Sequence, residues 1–142
     1  MRLGIGYPDT DTEYTIIWED PSRKLTSNIE PVCTRKDILK ARDEAYKAYC
    51  DDRLLQAAVD IASSTFKYHG VELGVSPRGR IMLITACKAY AFLKGRDYVI
   101  NQDIVDLAPP VLAHRLKLRD LQIDAVKLIR EDTLARIKEI DY

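Results

Sequence analysis

Apolar residues recur at intervals of three and four along most of this chain, the spacing that places them on one face of an α-helix. Two segments show the pattern, residues 35–49 (RKDILKARDEAYKAY) and residues 53–68 (RLLQAAVDIASSTFKY). The buried positions predicted for the first segment are Ile38, Ala41 or Arg42, Ala45 and Tyr49. Those predicted for the second segment are Leu55, Ala58 or Val59, Ala62 and Phe66. The N-caps predicted for the two helices are Thr34 and Asp51 or Asp52.

The most apolar segment, residues 77–94 (PRGRIMLITACKAYAFLK), predicts the central helix of a bundle. Ser76 before it is a favoured N-cap, and Gly95 after it suits the left-handed residue that commonly ends a helix. Lys88 and Lys94 are its only charges beyond the opening arginines. We therefore expect this helix to pack against several others.

Three further helices are predicted from the same signals. They are residues 12–20 after an N-cap at Asp9, Thr10 or Asp11, residues 102–116 after a cap at Asn101, and residues 125–140. Pro109 and Pro110 lie inside the second of these and predict a kink or a break. Residues 21–33 contain two prolines and predict a loop.

The fold class predicted from these elements is all-α, a bundle of about five to six helices. At most one short strand pair is expected, between residues 98–100 and residues 116–118. With 142 residues, the chain suits one domain.

Charge and cysteine usage exclude several classes of function. Basic and acidic residues number 22 each, so no overall field favours nucleic acid or an anionic membrane. Cys33, Cys50 and Cys87 are odd in number and widely spaced, which argues against a disulfide framework or a zinc site. Cys87 is expected to be a core residue. No signal peptide or membrane-spanning apolar run is present, so we expect a cytoplasmic protein without a membrane segment.

Motifs of a stand-alone enzyme are lacking from the sequence. There is no phosphate-binding GxxxxGK[ST] loop, no HExxH zinc motif and no recognisable serine or cysteine nucleophile. His69 and His114 lie beside a glycine turn and near a helix end, where a surface or capping role is expected. No metal site is predicted.

The stretch LGVSPRGR, residues 73–80, carries the candidate site. Arg78 and Arg80 lie in the first turn of the central helix, where the helix dipole already contributes partial positive charge. Two interpretations are equally open from the residues alone. The arginines and the helix-end N–H groups could bind a phosphate together, or the arginines could pair with a carboxylate. The carboxylates considered are Asp103, Asp106 and Glu72.

Several motifs, taken together and in order, resemble the C-terminal third of MoxR-type AAA+ ATPases. They are IGYPD (residues 5–9), LGVSPRGR with the apolar helix after it, GRDYVINQD (residues 95–103) and LAPPVLAHRL (residues 107–116). The resemblance covers nearly the whole chain. It implies a hinge segment at residues 1–9, joined to a AAA+ core, and a helical AAA+ lid at residues 10–142.

The resemblance also implies a site and partners. Arg78 matches the second sensor arginine, the catalytic residue that reaches from the lid to the γ-phosphate of ATP. Tyr7 or Pro8 would lie along the adenine, and the intact protein would use ATP with Mg²⁺. The implied partners are its own AAA+ core, neighbouring subunits of a ring, expected to be a hexamer, and a von Willebrand A-domain protein. The implied role is chaperone-like remodelling or maturation of partner complexes.

The chain departs from the family pattern at two points. The core with its Walker motifs would precede Met1, so we expect this chain alone to hold ATP weakly and to be inactive. Phe66 follows Thr65 where the family commonly has arginine, and Arg80 has no role that the family assigns. The alternative function is a helical adaptor or nucleic-acid-binding module, which the zero net charge disfavours.

Overall fold

The computed structural model describes residues 1–20, 29–120, 122–138 and 140. Six α-helices lie in these ranges, which agrees with the predicted all-α class. They are α1 (Thr10–Glu19), α2 (Arg35–Lys47), α3 (Asp52–Ser64), α4 (Pro77–Leu93), α5 (Asn101–Leu112) and α6 (Ala125–Lys138). Short 3₁₀ turns extend α3 and α5, at Thr65–Lys67 and Ala113–Arg115. Of the predicted loop 21–33, residues 21–28 lie outside the described residues, and 29–33 form no helix or strand.

The helices begin close to where their capping residues predict. The side chain of Asp9 accepts a hydrogen bond from the Thr12 N–H at 2.8 Å at the start of α1. Thr34 and Asp37 exchange side-chain and backbone hydrogen bonds at the start of α2, a complete capping box. Asp51 caps α3, as predicted. The cap of α5 is Ile100 rather than Asn101, which is the first helical residue.

Helix α4 is the central helix, as its apolar sequence predicts. It packs against α2, α3 and α5. One stripe of the helix is buried, and it consists of Gly79, Leu83, Cys87 and Ala91. Gly95 follows the helix with a φ of +73°, the left-handed geometry expected of it. The remaining core comes mainly from α3, α5 and α6, including Ile61, Ile104, Leu112 and Ile129, all 0% exposed.

The predicted buried stripes of α2 and α3 are correct only in part. Ala45 and Ala62 are buried as predicted, whereas Ile38 and Tyr49 are exposed. On α3 the buried face is Leu54, Ala57, Ala58, Ile61 and Ala62, while Leu55, Val59 and Phe66 are exposed. Because apolar residues occupy consecutive positions in this segment, the same spacing fits two faces that differ by about one residue.

The strand pair forms with a different partner from the predicted one. Strand β1 (Val71–Leu73) pairs antiparallel with β2 (Lys117–Leu118). Residues 98–100 lie instead beside Tyr49, whose N–H donates to the Asp97 carbonyl at 2.7 Å and whose carbonyl accepts from Val99 at 2.9 Å. The β1–β2 pair brings the chain before α4 next to the chain after α5.

Pro109 and Pro110 do not interrupt α5. The α-helix continues through both residues to Leu112 and then tightens into the 3₁₀ turn at Ala113–Arg115. The Pro110 carbonyl accepts a hydrogen bond from the Arg2 N–H at 2.8 Å. This bond ties the start of the chain to the end of α5.

No helix in the described ranges is both long enough and apolar enough to cross a membrane.

Candidate functional site

The candidate site lies where α4 begins. Ser76 is the N-cap, with extended backbone angles, but its side chain makes no capping hydrogen bond. Pro77 has no N–H, and the Gly79 N–H donates to the Ser76 carbonyl at 2.8 Å. The first turn of α4 carries the side chains of Arg78 and Arg80 and no acidic residue.

Arg78 lies exposed in the first turn of α4. No described side chain or carbonyl lies within hydrogen-bonding or ion-pairing distance of it. A guanidinium presents several planar N–H donors and matches carboxylate and phosphate oxygens well. Arg78 is thus available to an anion outside the described part of the chain.

Arg80 lies against the protein instead. Its Nη2 donates to the Ser63 hydroxyl of α3 at 3.3 Å, and its Nε is buried without a hydrogen-bond partner among the described residues. Arg80 therefore joins the start of α4 to the end of α3. The two arginines, only two residues apart, have different environments.

The carboxylates considered as partners of these arginines are engaged elsewhere. Asp103 forms a bidentate ion pair with Arg96, at 2.6 and 2.9 Å. Asp106 accepts a hydrogen bond from Gln102, and Glu72 pairs with Lys117 at 2.6 Å. The interpretation in which Arg78 or Arg80 pairs with one of these three groups is therefore wrong.

Two glycines allow close contacts on either side of the arginines. A Cβ on Gly74 would lie 2.6 Å from the Thr65 hydroxyl and 2.8 Å from the Phe66 ring. A Cβ on Gly79 would lie 2.5 Å from Val75 Cγ1. At both positions a Cβ would come closer than 3.0 Å to a neighbouring side chain, so a larger residue would require that side chain or the loop to shift.

Thr65 holds the loop that leads into α4. Its hydroxyl donates to the Ala62 carbonyl at 2.6 Å and accepts from the Val75 N–H at 2.9 Å. Thr65 and Val75 are both 0% exposed. Sequence reasoning missed this role, and the only signal for it was a polar residue at the end of an apolar stripe.

Arg115 supports the opposite side of the same turn. Its Nε donates to the Val111 carbonyl at 3.0 Å, and its Nη2 contacts Met82 Sδ at 2.8 Å. A Cβ on Gly79 would also lie 3.5 Å from Arg115 Cδ, which is ordinary van der Waals contact. The VLAHR motif thus packs next to the SPRG motif, a proximity that the linear spacing did not reveal.

Neighbouring His114 is exposed, and its pKa lies below the usual histidine value. Partial desolvation is the main cause, and the positive charge of Arg115 adds to it. His114 is therefore neutral at physiological pH and adds no positive charge to this end of the molecule.

Tyr7 and Pro8 make no hydrogen bond, ion pair or ring contact with Arg78 among the described residues. Both lie in the exposed N-terminal segment, where Tyr7 is fully exposed and Gly6 has a φ of +82°. No cluster of three or more His, Cys, Asp or Glu residues that could hold a metal ion occurs in the described ranges.

Residues 65–137 match the family model described as the AAA lid domain. The chain is 38% identical over 118 residues to the uncharacterized protein YeaC of Bacillus subtilis, covering 83% of this chain and 37% of that protein. It is 29% identical over 127 residues to the chaperone MoxR1 of Mycobacterium tuberculosis, covering 83% of this chain and 33% of that protein. The chain thus spans about a third of the length of these relatives.

The fold also occurs in a solved structure. A crystal structure from Cytophaga hutchinsonii, described as that of an ATPase candidate, superposes with a TM-score of 0.76 at 23% identity. The match covers 96% of this chain and 45% of that one. Since the family match spans residues 65–137 and includes the turn that carries Arg78, this chain belongs to the AAA lid domain family, as the resemblance to MoxR-type ATPases implied.

Proposed function

We propose that this chain is the nucleotide-sensing lid of a MoxR-like AAA+ ATPase, in which Arg78 contacts the γ-phosphate of ATP bound to the core. The observation that carries the proposal is the environment of Arg78. It is an exposed guanidinium, unpaired within the described residues, at the start of the central helix of a AAA lid. Contact between Arg78 and the γ-phosphate would couple the presence of ATP to the position of the whole helix α4.

The residues of the site fit a phosphate. Arg78 offers charged donors, the helix N-terminus adds a favourable dipole, and Ser76 Oγ makes no capping bond. Mg²⁺ and the nucleotide would be held mainly by the core, and ATP would supply the phosphoryl group that is hydrolysed. The part of the site that this chain provides is positive charge, which stabilises charge on the transferred phosphoryl group.

The wider proposal includes a hinge at residues 1–9, with Tyr7 or Pro8 near the adenine, and a lid at 10–142. The exposure of that segment leaves its side chains available to another part of the protein. A ring, with six subunits expected, would place lids against neighbouring cores. Coupling to a von Willebrand A-domain partner and to chaperone-like remodelling belongs to the same proposal, as does a cytoplasmic location.

The test is ATP hydrolysis by the longer protein that contains this chain. Arg78→Ala should lower kcat by about 10- to 100-fold, because a charge-stabilising donor is lost, and should leave the melting temperature unchanged. Arg35→Ala is the matched control, since Arg35 is also an exposed arginine in the first turn of a helix. Normal turnover in Arg78→Ala would contradict the proposal, as would salt-dependent binding of duplex DNA as the main activity of the chain.

A further inference from the structure

The Thr65 hydroxyl makes two directional hydrogen bonds at the end of α3. A hydroxyl has one proton, and here that proton is donated to the Ala62 carbonyl at 2.6 Å. The rotamer is thereby fixed, so that the oxygen faces the Val75 N–H, from which it accepts at 2.9 Å. Since both residues are 0% exposed, the Val75 N–H is shielded from bulk water and depends on the hydroxyl as its acceptor.

Val75 is held from its other side as well. Its Cγ1 lies 2.5 Å from where a Cβ on Gly79 would be, so the side chain packs directly on the first turn of α4. A Cβ on Gly74, the preceding residue, would lie similarly close to Thr65 and Phe66. The backbone from Gly74 to Gly79 is thus closely packed between the end of α3 and the first turn of α4, and Arg78 lies within this segment.

The end of α3, next to Thr65, also contacts the C-terminal helix α6. The hydroxyl of Ser64, the preceding residue, lies 2.8 Å from the Asp132 carboxylate of α6 and 2.7 Å from the Ile61 carbonyl, and its one proton is shared between these two acceptors. Asp132 also accepts from Arg136 Nε at 3.0 Å. The end of α3 is therefore fixed to α6 on one side and to the loop before α4 on the other.

We infer that Thr65 is a positioning residue for Arg78, which sets the direction in which the guanidinium reaches the phosphate. This inference rests on the proposed function. Without the hydroxyl, the Val75 N–H loses its acceptor and the loop shifts to find another. A shift of about 1 Å in a group that stabilises charge can lower a reaction rate by as much as roughly 100-fold.

The experiment is a double-mutant cycle between Thr65 and Arg78 in the ATPase activity of the longer protein. Thr65→Val should lower kcat by about tenfold, and Thr65→Ser, which keeps the hydroxyl, should stay within about twofold of the parent. In an Arg78→Ala background, Thr65→Val should have no further effect beyond about twofold, because both changes remove the same interaction.

The matched control is Thr133→Val on α6. Thr133 is also 0% exposed and also donates to a backbone carbonyl, that of Ile129 at 2.7 Å, but its hydroxyl positions no loop. It should lower the melting temperature through the loss of its own hydrogen bond, and leave kcat unchanged. A loss of kcat in Thr133→Val equal to that in Thr65→Val would overturn the inference.

A second variant keeps the test decisive if Thr65→Val does not fold. Gly74→Ala retains the hydroxyl but places a Cβ 2.6 Å from it, so the loop must move. Its loss of kcat should also vanish in the Arg78→Ala background. Equal losses in both backgrounds would overturn the positioning role while leaving the proposed function intact, whereas an Arg78→Ala variant with full activity would contradict the proposed function itself.

Discussion

An ion pair between half-buried Arg96 and buried Asp103 explains why GRDYVINQD forms a structural unit. Arg96 Nη1 and Nη2 bind the Asp103 carboxylate at 2.9 and 2.6 Å, and Asp103 is 1% exposed. The same carboxylate accepts the Ile100 N–H at 2.9 Å, and Arg96 Nη1 also donates to the Tyr98 carbonyl. The hydrogen bond to Asp103 raises the pKa of Arg96 above its usual value. The link between α4 and α5 is therefore fixed by one carboxylate.

Asp103→Ala should lower the free energy of unfolding by about 1–3 kcal/mol, because the Ile100 N–H loses its acceptor and the half-buried Arg96 loses its partner. The measurement is urea denaturation followed by circular dichroism. Asp43→Ala is the control, since the Arg42–Asp43 pair is 69% and 64% exposed. It should change stability by less than about 1 kcal/mol. Equal effects of the two substitutions would contradict this interpretation of the GRDYV segment.

At the scale of elements, a polar cluster joins α3 to α6. The Ser64 hydroxyl lies 2.8 Å from the Asp132 carboxylate, 2.7 Å from the Ile61 carbonyl and 3.1 Å from the Tyr68 hydroxyl. Partial burial, and then the neighbouring Asp132 carboxylate, raise the pKa of Tyr68 to about 12. Only the neutral form of Tyr68 suits this place, because a phenolate would face the carboxylate.

Stability should therefore fall at high pH through Tyr68. Its pKa in the folded chain lies above the unfolded value of 10.0, so its contribution is complete below pH 10 and is lost as the pH rises towards 12. Tyr68→Phe removes that titration, and its stability should decline less steeply than that of the parent between pH 10 and 12. The check is thermal unfolding across this range. Parallel pH profiles would contradict the assignment.

At the scale of the whole molecule, α4 organises the core. Leu83 and Cys87 are both 0% exposed on its buried stripe, with α2, α3 and α5 around the helix. Burial also raises the pKa of the Cys87 thiol, so Cys87 is an unreactive core residue, as its apolar surroundings predicted. Cys33 and Cys50 are free as well, and Cys33 is exposed.

Leu83→Ala should lower the free energy of unfolding by about 2–5 kcal/mol, because the cavity lies at the junction of several helices. Leu93→Ala, on the same helix but 78% exposed, should change it by less than about 0.5 kcal/mol. Chemical denaturation of the two variants provides the comparison. A small effect of Leu83→Ala would show that α4 is not the centre of the core.

Much of the fold was predictable because its signals are local. The helix starts at Asp9, Thr34 and Asp51 depend on hydrogen bonds that span two or three residues, and helical periodicity spans about four. The left-handed residue at Gly95 and the arginine pair at the start of α4 depend on the same short range. Position in the sequence was therefore sufficient to locate the central helix and the candidate site.

Packing between the helices decided which groups meet. Consecutive apolar residues on α3 fit two faces equally well, and only contact with α4 and α6 selected Leu54 over Leu55. Strand β2 pairs with β1, which lies more than forty residues earlier in the chain, rather than with the predicted residues 98–100.

The local sequence is enough to place an arginine at the start of the central helix. Only the fold shows that Arg78 is unpaired among the described residues and that Thr65 holds the loop before it. The physical reason is that a hydrogen bond such as that between Thr65 and Val75 depends on the distance between the end of one helix and the start of another, which no local pattern encodes.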